Sequence, residues 1–390
     1  MVDNQNKYNK LRLKNILDSI PAIFCSLFIP KKKGRIIINS HFNEKFDFNS
    51  KYLFLYMLRQ QYDIWYVINN DEYRNELEKQ YRHHFIETKS FSGKIFALRS
   101  KVWFISAFEL PVGGIFLKYS RKVIHLTHGS LVKNVGTLEK NVSLVKRIYY
   151  KFFISTNLSY SIATSQFFVP STSAYTGLPQ KKILVTGFPR NDALFLSSDS
   201  EKPDILKDCG FSVLYAPTWR KDSDVELFPF PDIDYNQLND FCKNNNITIF
   251  IRLHPSFEKF IDEEMLGTNI KVFSSSICKE IMDFICYFDS LITDYSSIFY
   301  DFLLLNRPMI FLPYDYDEYK EKVGFAVEYE KVTPGYKPCS MKEFEAALLD
   351  MKNTDSFKKQ RMMICEICNT YKTDNCKRLV NTLKSLSILK

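Results

Sequence analysis

Short polar motifs follow several apolar segments of this chain, and their side chains are of the kinds that bind phosphate and move protons. The first motif, "VIHLTHGSLVKNVG", contains His128, Gly129, Ser130 and Lys133. A histidine exchanges protons near neutral pH, glycine lets a backbone approach a ligand closely, and an ammonium group pairs with phosphate. We predict that His128 is a general base and that its three neighbours contact the substrate. His125 is predicted to lie in the core.

Two further motifs supply arginines after apolar segments. "VTGFPRNDAL" contains Arg190, and "LYAPTWRKD" contains Thr218 and Arg220. The guanidinium fork matches the geometry of phosphate oxygens. Arg190, Thr218 and Arg220 are therefore predicted to contact the substrate.

A fourth motif, "FIRLHPS", contains Arg252 and His254. Alternate residues of a strand point to the same face, so both side chains are expected on one side of a strand end. We predict that this cationic pair binds a pyrophosphate and that His254 takes part in catalysis. The alternative is a buried histidine beside an ion-paired arginine.

The fifth motif, "LITDYSSIFYDF", places four polar residues between a strand and a helix. Asp294 or Ser296 is expected to cap the helix, because short polar side chains accept the free N–H groups of a first turn. Ser296 and Ser297, with Thr293 before them, are predicted to bind phosphate at the helix N-terminus. Asp301 is expected to accept hydrogen bonds from sugar hydroxyls.

Composition narrows the class of partner. A net charge of +9 and a pI of about 8.9 favour anionic partners. Nucleic-acid binding would explain the charge but not the strand-end motifs, and we do not predict it. The sequence has no P-loop, no G-x-G-x-x-G and no carboxylate pair of the glycosidase kind, and we expect neither a metal nor a cofactor.

The cysteines favour a reducing compartment. Nine of them are scattered along the chain, which is typical of reduced thiols in a cytosolic protein. Cys365 and Cys368 form one C-x-x-C, which we interpret as buried apolar residues rather than a metal site.

The elements that must position these motifs alternate between strand and helix. Buried strands are predicted at 34–40, 62–69, 101–107, 122–128, 161–165, 181–187, 212–218, 247–255, 270–275, 290–294 and 308–315, and helices at 50–61, 234–245 and 296–306. Such alternation predicts an α/β protein with parallel sheets. Two series of strands indicate two Rossmann-like domains, 1–195 and 196–390, that face each other across a cleft. Ligands of such sheets bind beyond the carboxyl ends of the strands, which is where the five motifs lie.

Two basic amphipathic stretches predict contact with a membrane surface. Residues 11–30 and 141–154 mix bulky apolar residues with lysine and arginine, and neither is long enough to span a bilayer. This composition is typical of helices that lie in the headgroup layer. The alternative is a pair of ordinary surface helices.

The ordered motifs HGS..K, GFPRND, APTWR, RLHP and LITDYSSIFYDF together resemble the CDP-glycerol glycerophosphotransferase family of teichoic acid primases and polymerases. The resemblance implies a GT-B architecture and transfer of glycerol phosphate from CDP-glycerol to a hydroxyl of a polyprenyl-diphosphate-linked glycan acceptor, with release of CMP. It implies a peripheral protein of the cytoplasmic face of the cell membrane. The family's catalytic base falls on His128, and its nucleotide and phosphate contacts fall on Gly129, Arg190, Thr218, Arg252, His254, Ser296, Ser297 and Asp301.

The chain departs from the family pattern beside the base. The family usually has Trp before this histidine and Thr-Pro-Leu-Lys after the glycine, where this chain has Thr127 and Ser130–Lys133. A CDP-ribitol donor, a capsule or other surface-glycan acceptor, a nucleotide-sugar glycosyltransferase and a catalytically silent membrane subunit remain alternatives. The oligomeric state, a homo-oligomer included, also stays open.

Overall fold

The computed structural model describes residues 13–14, 16–21, 23–24, 26, 28–114, 117–140, 142–196, 202–218, 220, 226–253, 258 and 266–390. These residues form two compact units. The first comprises Met1–Ser130, Val135–Asp192 and Thr370–Lys390, and the second comprises Leu131–Asn134 and Ala193–Asn369.

The first unit is built on a seven-stranded parallel sheet in the order β3-β2-β1-β4-β5-β6-β7. Its strands are β1 Ile36–Asn39, β2 Ile64–Val67, β3 Phe85–Ile86, β4 Val102–Ile105, β5 Lys122–His125, β6 Tyr160–Ala163 and β7 Ile183–Val185. Most strand residues are buried, because helices cover both faces of a parallel sheet. The sequence predicts each of these strands except the two-residue β3, which is too short to produce an apolar run.

Helices and a large apolar core hold this sheet. Its helices include Phe48–Arg59, Asp71–Tyr81, Phe91–Leu98 and Val169–Thr176. Leu53, Phe54 and Met57 of the first of these pack into one buried cluster with Ile36 and Ile38 of β1. This packing fixes the segment that follows β1 against the sheet.

The second unit contains a five-stranded parallel sheet in the order β10-β9-β8-β11-β12. Its strands are β8 Phe211–Ala216, β9 Ile247–Ile251, β10 Ile270–Val272, β11 Ser290–Thr293 and β12 Met309–Phe311, all at predicted positions. The helices within its described residues are Ala193–Leu196, Tyr235–Asn244, Ile298–Phe302, Tyr316–Lys322, Tyr329–Val332, Met341–Asn353 and Lys358–Cys368. The predicted α/β class with two parallel sheets is confirmed.

The C-terminal helix Asn375–Ser385 lies in the first unit, although the sequence analysis assigned 196–390 to the second domain. The Asp192 carboxylate accepts the backbone N–H groups of Asn375 and Cys376, each at 2.8 Å, and so caps the helix. Leu379 and Leu383 then join the buried cluster of the first sheet. Sequence periodicity indicates that this segment is helical, but it does not indicate which core receives it.

Two segments of the first unit expose apolar side chains. The described residues between 13 and 26 are helical and expose Leu13, Leu17, Ile20 and Phe24 at helical spacing. Helix Leu144–Tyr149 and the π-helical turn Tyr150–Ser155 expose Leu144, Val145, Ile148 and Phe152. In the described part of the chain, no helix has the length and hydropathy that crossing a bilayer requires.

Candidate active site

His128 lies in a tight turn just beyond β5. Thr127 adopts φ 54°, a conformation that β-branched residues rarely accept, and this turns the chain sharply after the strand. The Nδ1 atom of His128 is 2.9 Å from the carbonyl oxygen of Ser106, the residue after β4. Because a carbonyl only accepts, Nδ1 carries the proton of the neutral ring and Nε2 presents a lone pair. That tautomer is the one required of a base.

The surroundings of His128 favour the neutral ring. Burial lowers the pKa of His128 below its ordinary value, and the Arg190 guanidinium adds to this effect. The Ser106 carbonyl and the Glu109 carboxylate act in the opposite direction, but the pKa remains lowered. His128 is therefore held unprotonated at neutral pH.

Asn49 and Arg190 hold the backbone of this turn. The Asn49 side chain donates to the carbonyl oxygens of Leu126 and Thr127, both at 2.9 Å, and accepts the backbone N–H of Arg190 at 3.1 Å. The Arg190 guanidinium donates to the carbonyl oxygen of His128. Arg190, predicted as a substrate contact, thus also holds the backbone of His128.

The remaining residues of the first motif surround the turn. The buried Ser130 hydroxyl lies 3.1 Å from the Thr164 hydroxyl, and the Gly129 N–H donates to Thr127 Oγ1 at 3.2 Å. His125 is fully buried, with Nδ1 3.1 Å from Ser161 Oγ, and burial lowers its pKa to about 3. The prediction that His125 belongs to the core is confirmed.

In the second unit, Asp294 is the centre of a buried network. Its carboxylate accepts the backbone N–H groups of Thr218 and Tyr295 at 2.7 and 2.6 Å, and Nη1 of Arg220 at 2.9 Å. Arg220 also makes a bidentate pair with Asp315, at 2.8 and 3.0 Å, and donates to the Thr218 carbonyl oxygen. Arg220 is only 5% exposed, so it braces the loop after β8 and has at most one N–H left for a ligand.

The fifth motif differs from its prediction in detail. Asp294 faces the loop after β8 and does not cap helix Ile298–Phe302, so that alternative is wrong; Ser296 Oγ accepts the N–H of Ile298 at a long 3.5 Å. The Thr293 hydroxyl donates to the Ala216 carbonyl oxygen at 2.7 Å, which joins β11 to β8. Ser297 is the residue preceding the helix, and its side chain makes no capping hydrogen bond.

The other predicted contacts of this unit differ in solvent exposure and in hydrogen bonding. Ser296 and Ser297 are both partly exposed, and Asp301 is buried on the helix. Thr218 is 5% exposed, and its Oγ1 has no hydrogen-bond partner among the described residues. A buried hydroxyl without a partner is costly, so the Thr218 hydroxyl, which lies beyond the end of β8, is a ligand-binding candidate in the second unit.

Lys133 lies on a short extended segment of the second unit. Residue 133 pairs antiparallel with Phe325, and the flanking bonds run from Asn134 N–H to the Gly324 carbonyl at 3.0 Å and from Ala326 N–H to the Val132 carbonyl at 2.9 Å. Burial lowers the pKa of Lys133 to about 8; Asp294 opposes this shift and Arg220 adds to it.

Arg252 follows β9, as predicted. Its guanidinium donates to the carbonyl oxygens of Phe273 and Cys278, at 3.1 and 2.8 Å, and lies 3.5 Å from the Glu258 carboxylate. His254, the predicted partner of Arg252, lies outside the described residues. Within the described ranges, no group of three or more His, Cys, Asp or Glu side chains is placed to hold a metal ion.

The segment after β1 also lies beside His128, although none of the five predicted motifs includes it. His41 lies beside His128, with ring centroids 5.3 Å apart, and Asn49 supports the turn that contains His128. A signal was present, because Ser40 and His41 follow the apolar run Ile36–Asn39 directly. The rule that selects residues beyond the carboxyl ends of strands applies to β1 as well as to β5.

Both units are parallel α/β sheets, and each carries polar groups beyond the carboxyl ends of its strands: a neutral imidazole in the first unit, and cations and hydroxyls in the second. The chain belongs to the CDP-glycerol:poly(glycerophosphate) glycerophosphotransferase family, whose model matches residues 22–384.

Curated relatives agree with this family. The chain is 26% identical over 381 residues to the teichoic acid poly(glycerol phosphate) polymerase of Bacillus subtilis, covering 91% of this chain and 49% of that protein. It is 26% identical over 376 residues to the ribitol-phosphate polymerase TarL of Staphylococcus aureus, covering 90% and 63%. It is 27% identical over 366 residues to the S. aureus teichoic acid glycerol-phosphate transferase, covering 87% and 89%. The chain thus spans about half of the first of these proteins and under two thirds of the second.

Solved structures support the fold. A variant of the wall teichoic acid polymerase TagF matches with a TM-score of 0.77 at 20% identity, covering 99% of this chain and 98% of that one. A TagF variant soaked with CDPG matches with a TM-score of 0.73 at 21% identity, with the same coverage.

Proposed function

We propose that this protein transfers glycerol phosphate from CDP-glycerol to a hydroxyl of a lipid-linked teichoic acid or other surface-glycan acceptor, and that CMP is released. The observation that carries the proposal is the His128 imidazole, whose Nδ1–H is engaged by the Ser106 carbonyl and whose pKa is lowered by burial. Family membership supports the donor, as does the TagF variant soaked with CDPG.

In the proposed reaction, Nε2 of His128 removes the proton of the acceptor hydroxyl. The acceptor oxygen forms a bond to the β-phosphorus of the donor, and the bond from that phosphorus to the bridging oxygen breaks. The bonding electrons leave with that oxygen on CMP. Positioning and charge stabilisation dominate such phosphoryl transfers, which suits a site built from cations, hydroxyls and backbone N–H groups.

The second unit is proposed to bind the donor. Its most direct candidates are the Thr218 hydroxyl, which lacks a described partner, and Lys133, which makes no ion pair within 4.0 Å in the described part of the chain. Ser296, Ser297, Asp301, Arg252 and His254 complete the proposed set. Arg220 is proposed to act by holding the loop after β8, and Thr293 by joining β11 to β8.

The test replaces His128 with Asn, which keeps a polar side chain but removes the base. We expect turnover to fall by about 10²–10⁴-fold, because that is what general bases contribute. Release of CMP from CDP-glycerol in the presence of primed acceptor measures turnover, and calorimetry measures donor affinity, which we expect to change little. The matched control is His83→Ala, at a histidine whose side chain is 91% exposed in the same unit. Near-normal turnover in His128→Asn would show that the base is assigned wrongly.

A ribitol-phosphate donor is the second candidate. The chain is equally identical, at 26%, to a glycerol-phosphate polymerase and to the ribitol-phosphate polymerase TarL. Incubation with CDP-glycerol and CDP-ribitol in parallel, followed by mass measurement of the products, decides between the polyols. We expect the added mass to correspond to glycerol phosphate. If only ribitol phosphate is added, the donor is CDP-ribitol and the proposed type of reaction still holds.

We also propose that the protein binds peripherally to the cytoplasmic face of the cell membrane, where a lipid-linked acceptor would be met. The exposed apolar side chains described above belong to the N-terminal helix and to the helical segment Leu144–Ser155, and both segments are linked to Gly114. Gly114 packs against Ile23 of the N-terminal helix, and its carbonyl oxygen accepts Nδ2 of Asn157, which also donates to Phe153 of the π-helical turn. Basic residues such as Arg147 and Lys151 accompany the second face, as expected for a surface that meets anionic lipid.

The membrane proposal is tested with vesicles containing anionic lipid. The double variant Leu144→Gln/Val145→Gln removes two exposed apolar side chains without touching the core, and we expect it to weaken co-sedimentation with the vesicles. Phe91→Gln is the control, because Phe91 is also exposed but lies on another helix, Phe91–Leu98. Equal binding by the double variant and the control would contradict the assignment of this surface.

A further inference from the structure

The segment Ser40–Phe48, which follows β1, is held rigidly by polar contacts. Asn39 Nδ2 donates to Asn43 Oδ1 at 2.6 Å and to the Glu109 carbonyl oxygen at 2.7 Å. Asn43 Nδ2 donates to the Leu110 carbonyl oxygen at 3.2 Å, and the Ser40 hydroxyl donates to Asp47. The segment is thereby tied to the chain that follows β4, which also supplies the carbonyl that holds His128.

The rings of His41, Phe48 and His128 lie against one another. The ring centroid of His41 lies 5.3 Å from that of His128 and 5.5 Å from that of Phe48. The Phe48 centroid lies 5.4 Å from that of His128. His41 and Phe48, both of the segment Ser40–Phe48, therefore lie against the His128 imidazole, while the Ser106 carbonyl holds its Nδ1 atom.

The backbone around these rings is strained. Phe42, Asn43 and Phe48 have φ values of 52°, 60° and 49°, and Thr127, next to His128, has 54°. Non-glycine residues avoid this region, so such conformations persist only where the surrounding structure enforces them, and they concentrate at functional sites. Strain on both sides of one imidazole indicates that the position of its ring is tightly specified.

We propose that His41 is a positioning residue for the reaction: its ring packs against His128 and keeps Nδ1 on the Ser106 carbonyl, so that Nε2 stays free to accept the acceptor's proton. The inference rests on the proposed function for the identity of the base. It assigns to His41 a role that depends on ring contact, because the hydrogen bond to Ser106 fixes one atom of the imidazole but leaves the plane of the ring to be set by its neighbours.

Two substitutions separate ring contact from other roles. His41→Phe keeps an aromatic ring against His128 and is expected to retain most of kcat. His41→Ala removes the ring and is expected to lower kcat by about 10- to 100-fold, since a misplaced catalytic group has effects of this size. KM for CDP-glycerol is expected to stay unchanged in both variants, because the proposed donor residues belong to the second unit.

A spectroscopic reading tests the geometry without any turnover. Long-range proton–nitrogen correlation of protein labelled with nitrogen-15 histidine reports which imidazole nitrogen carries the proton. His128, assigned by the loss of its signals in His128→Asn, is expected to show a protonated Nδ1 and a bare Nε2. His41→Phe is expected to preserve this pattern, and His41→Ala is expected to give a mixture of tautomers.

Controls and opposing outcomes keep this test independent of the proposed function. His83→Ala should leave both kcat and the His128 signals unchanged, and circular dichroism should show that the His41 variants remain folded. A His41→Ala variant with unaltered kcat and an unaltered His128 tautomer would overturn the proposal, as would a His41→Phe variant as impaired as His41→Ala. If His128→Asn itself retains turnover, the proposed base fails, and the tautomer pattern still reports whether His41 orients the ring.

Discussion

The buried network around Asp294 should stabilise the second unit, and Asp294→Asn tests this directly. The Asp294 side chain is 3% exposed and accepts three hydrogen bonds, from Thr218, Tyr295 and Arg220. An asparagine keeps an oxygen for the two backbone N–H groups, but its amide nitrogen would face Nη1 of Arg220, donor against donor. Arg220 would then keep one of its two carboxylate partners.

The size of the effect follows from burial. Breaking a buried ion pair by neutralising one partner costs about 3–5 kcal/mol. Asp315→Asn, at a side chain that is 18% exposed, removes charge-assisted hydrogen bonds worth about 1.5–3 kcal/mol. Glu318→Gln breaks a pair with Lys322 in which both side chains are more than 60% exposed, and such pairs contribute about 0–1 kcal/mol.

The assay is urea unfolding, with amide hydrogen exchange to localise the loss. For a slope of about 2 kcal/mol per molar urea, the loss in Asp294→Asn lowers the midpoint by roughly 1.5–2.5 M. Faster exchange is expected in β8 and β11, because Asp294 follows β11 and holds the loop after β8. CDP-glycerol affinity should fall as well, since the Thr218 backbone loses part of its support.

The order of the three variants is the decisive result. We expect Asp294→Asn to be the most destabilising, Asp315→Asn intermediate and Glu318→Gln nearly neutral. If Asp294→Asn shifts the midpoint no more than Glu318→Gln, the network does not brace the loop after β8 and the reasoning from burial is refuted.

Four further predictions follow from the described contacts. The acid limb of kcat/KM should lie below pH 6.5, because the active form of His128 is unprotonated and burial lowers its pKa; a limb above 6.5 in a pH–rate profile would contradict this. KM for CDP-glycerol should rise as pH passes about 8, where Lys133 loses its charge, and Lys133→Arg should remove that rise; a rise that persists in the variant would assign it elsewhere. Thr218→Val should weaken donor binding in calorimetry by about 0.5–1.5 kcal/mol without lowering the thermal midpoint, whereas a lowered midpoint with unchanged affinity would make the hydroxyl structural. Gly114→Ala should loosen the N-terminal helix, because its Cβ would lie 2.3 Å from Cδ1 of Ile23; limited proteolysis should cut that helix faster, and an unchanged cleavage rate would mean that Ile23 simply shifts.

Much of the scaffold could be predicted from local pattern. Buried parallel strands produce apolar runs, so eleven of the twelve strands in the described part of the chain lie at predicted positions, and β3, with two residues, gave no such run. The C-terminal helix was harder, because an amphipathic helix is compatible with either core. Only the cap by Asp192 and the packing of Leu379 and Leu383 place it in the first unit.

The sequence places the candidate site residues after strands, but it does not show which contacts each of them makes. Arginine and aspartate after a strand look alike in sequence whether they bind phosphate or each other. Arg220 is largely engaged with Asp294 and Asp315, whereas the Thr218 hydroxyl has no hydrogen-bond partner among the described residues. Such engagement depends on side chains far apart in sequence, which no local spacing reveals.

The sequence by itself determined the alternation of strands and helices and the placement of polar motifs at strand ends, because both depend on residue type within a few positions of one another. The tertiary structure decided which nitrogen of the His128 imidazole is free, which cations are already paired and which histidine lies against His128. His128 owes its tautomer to the carbonyl after β4 and its ring contacts to the loop after β1. Those groups come together only when three parallel strands end at the same edge of a sheet.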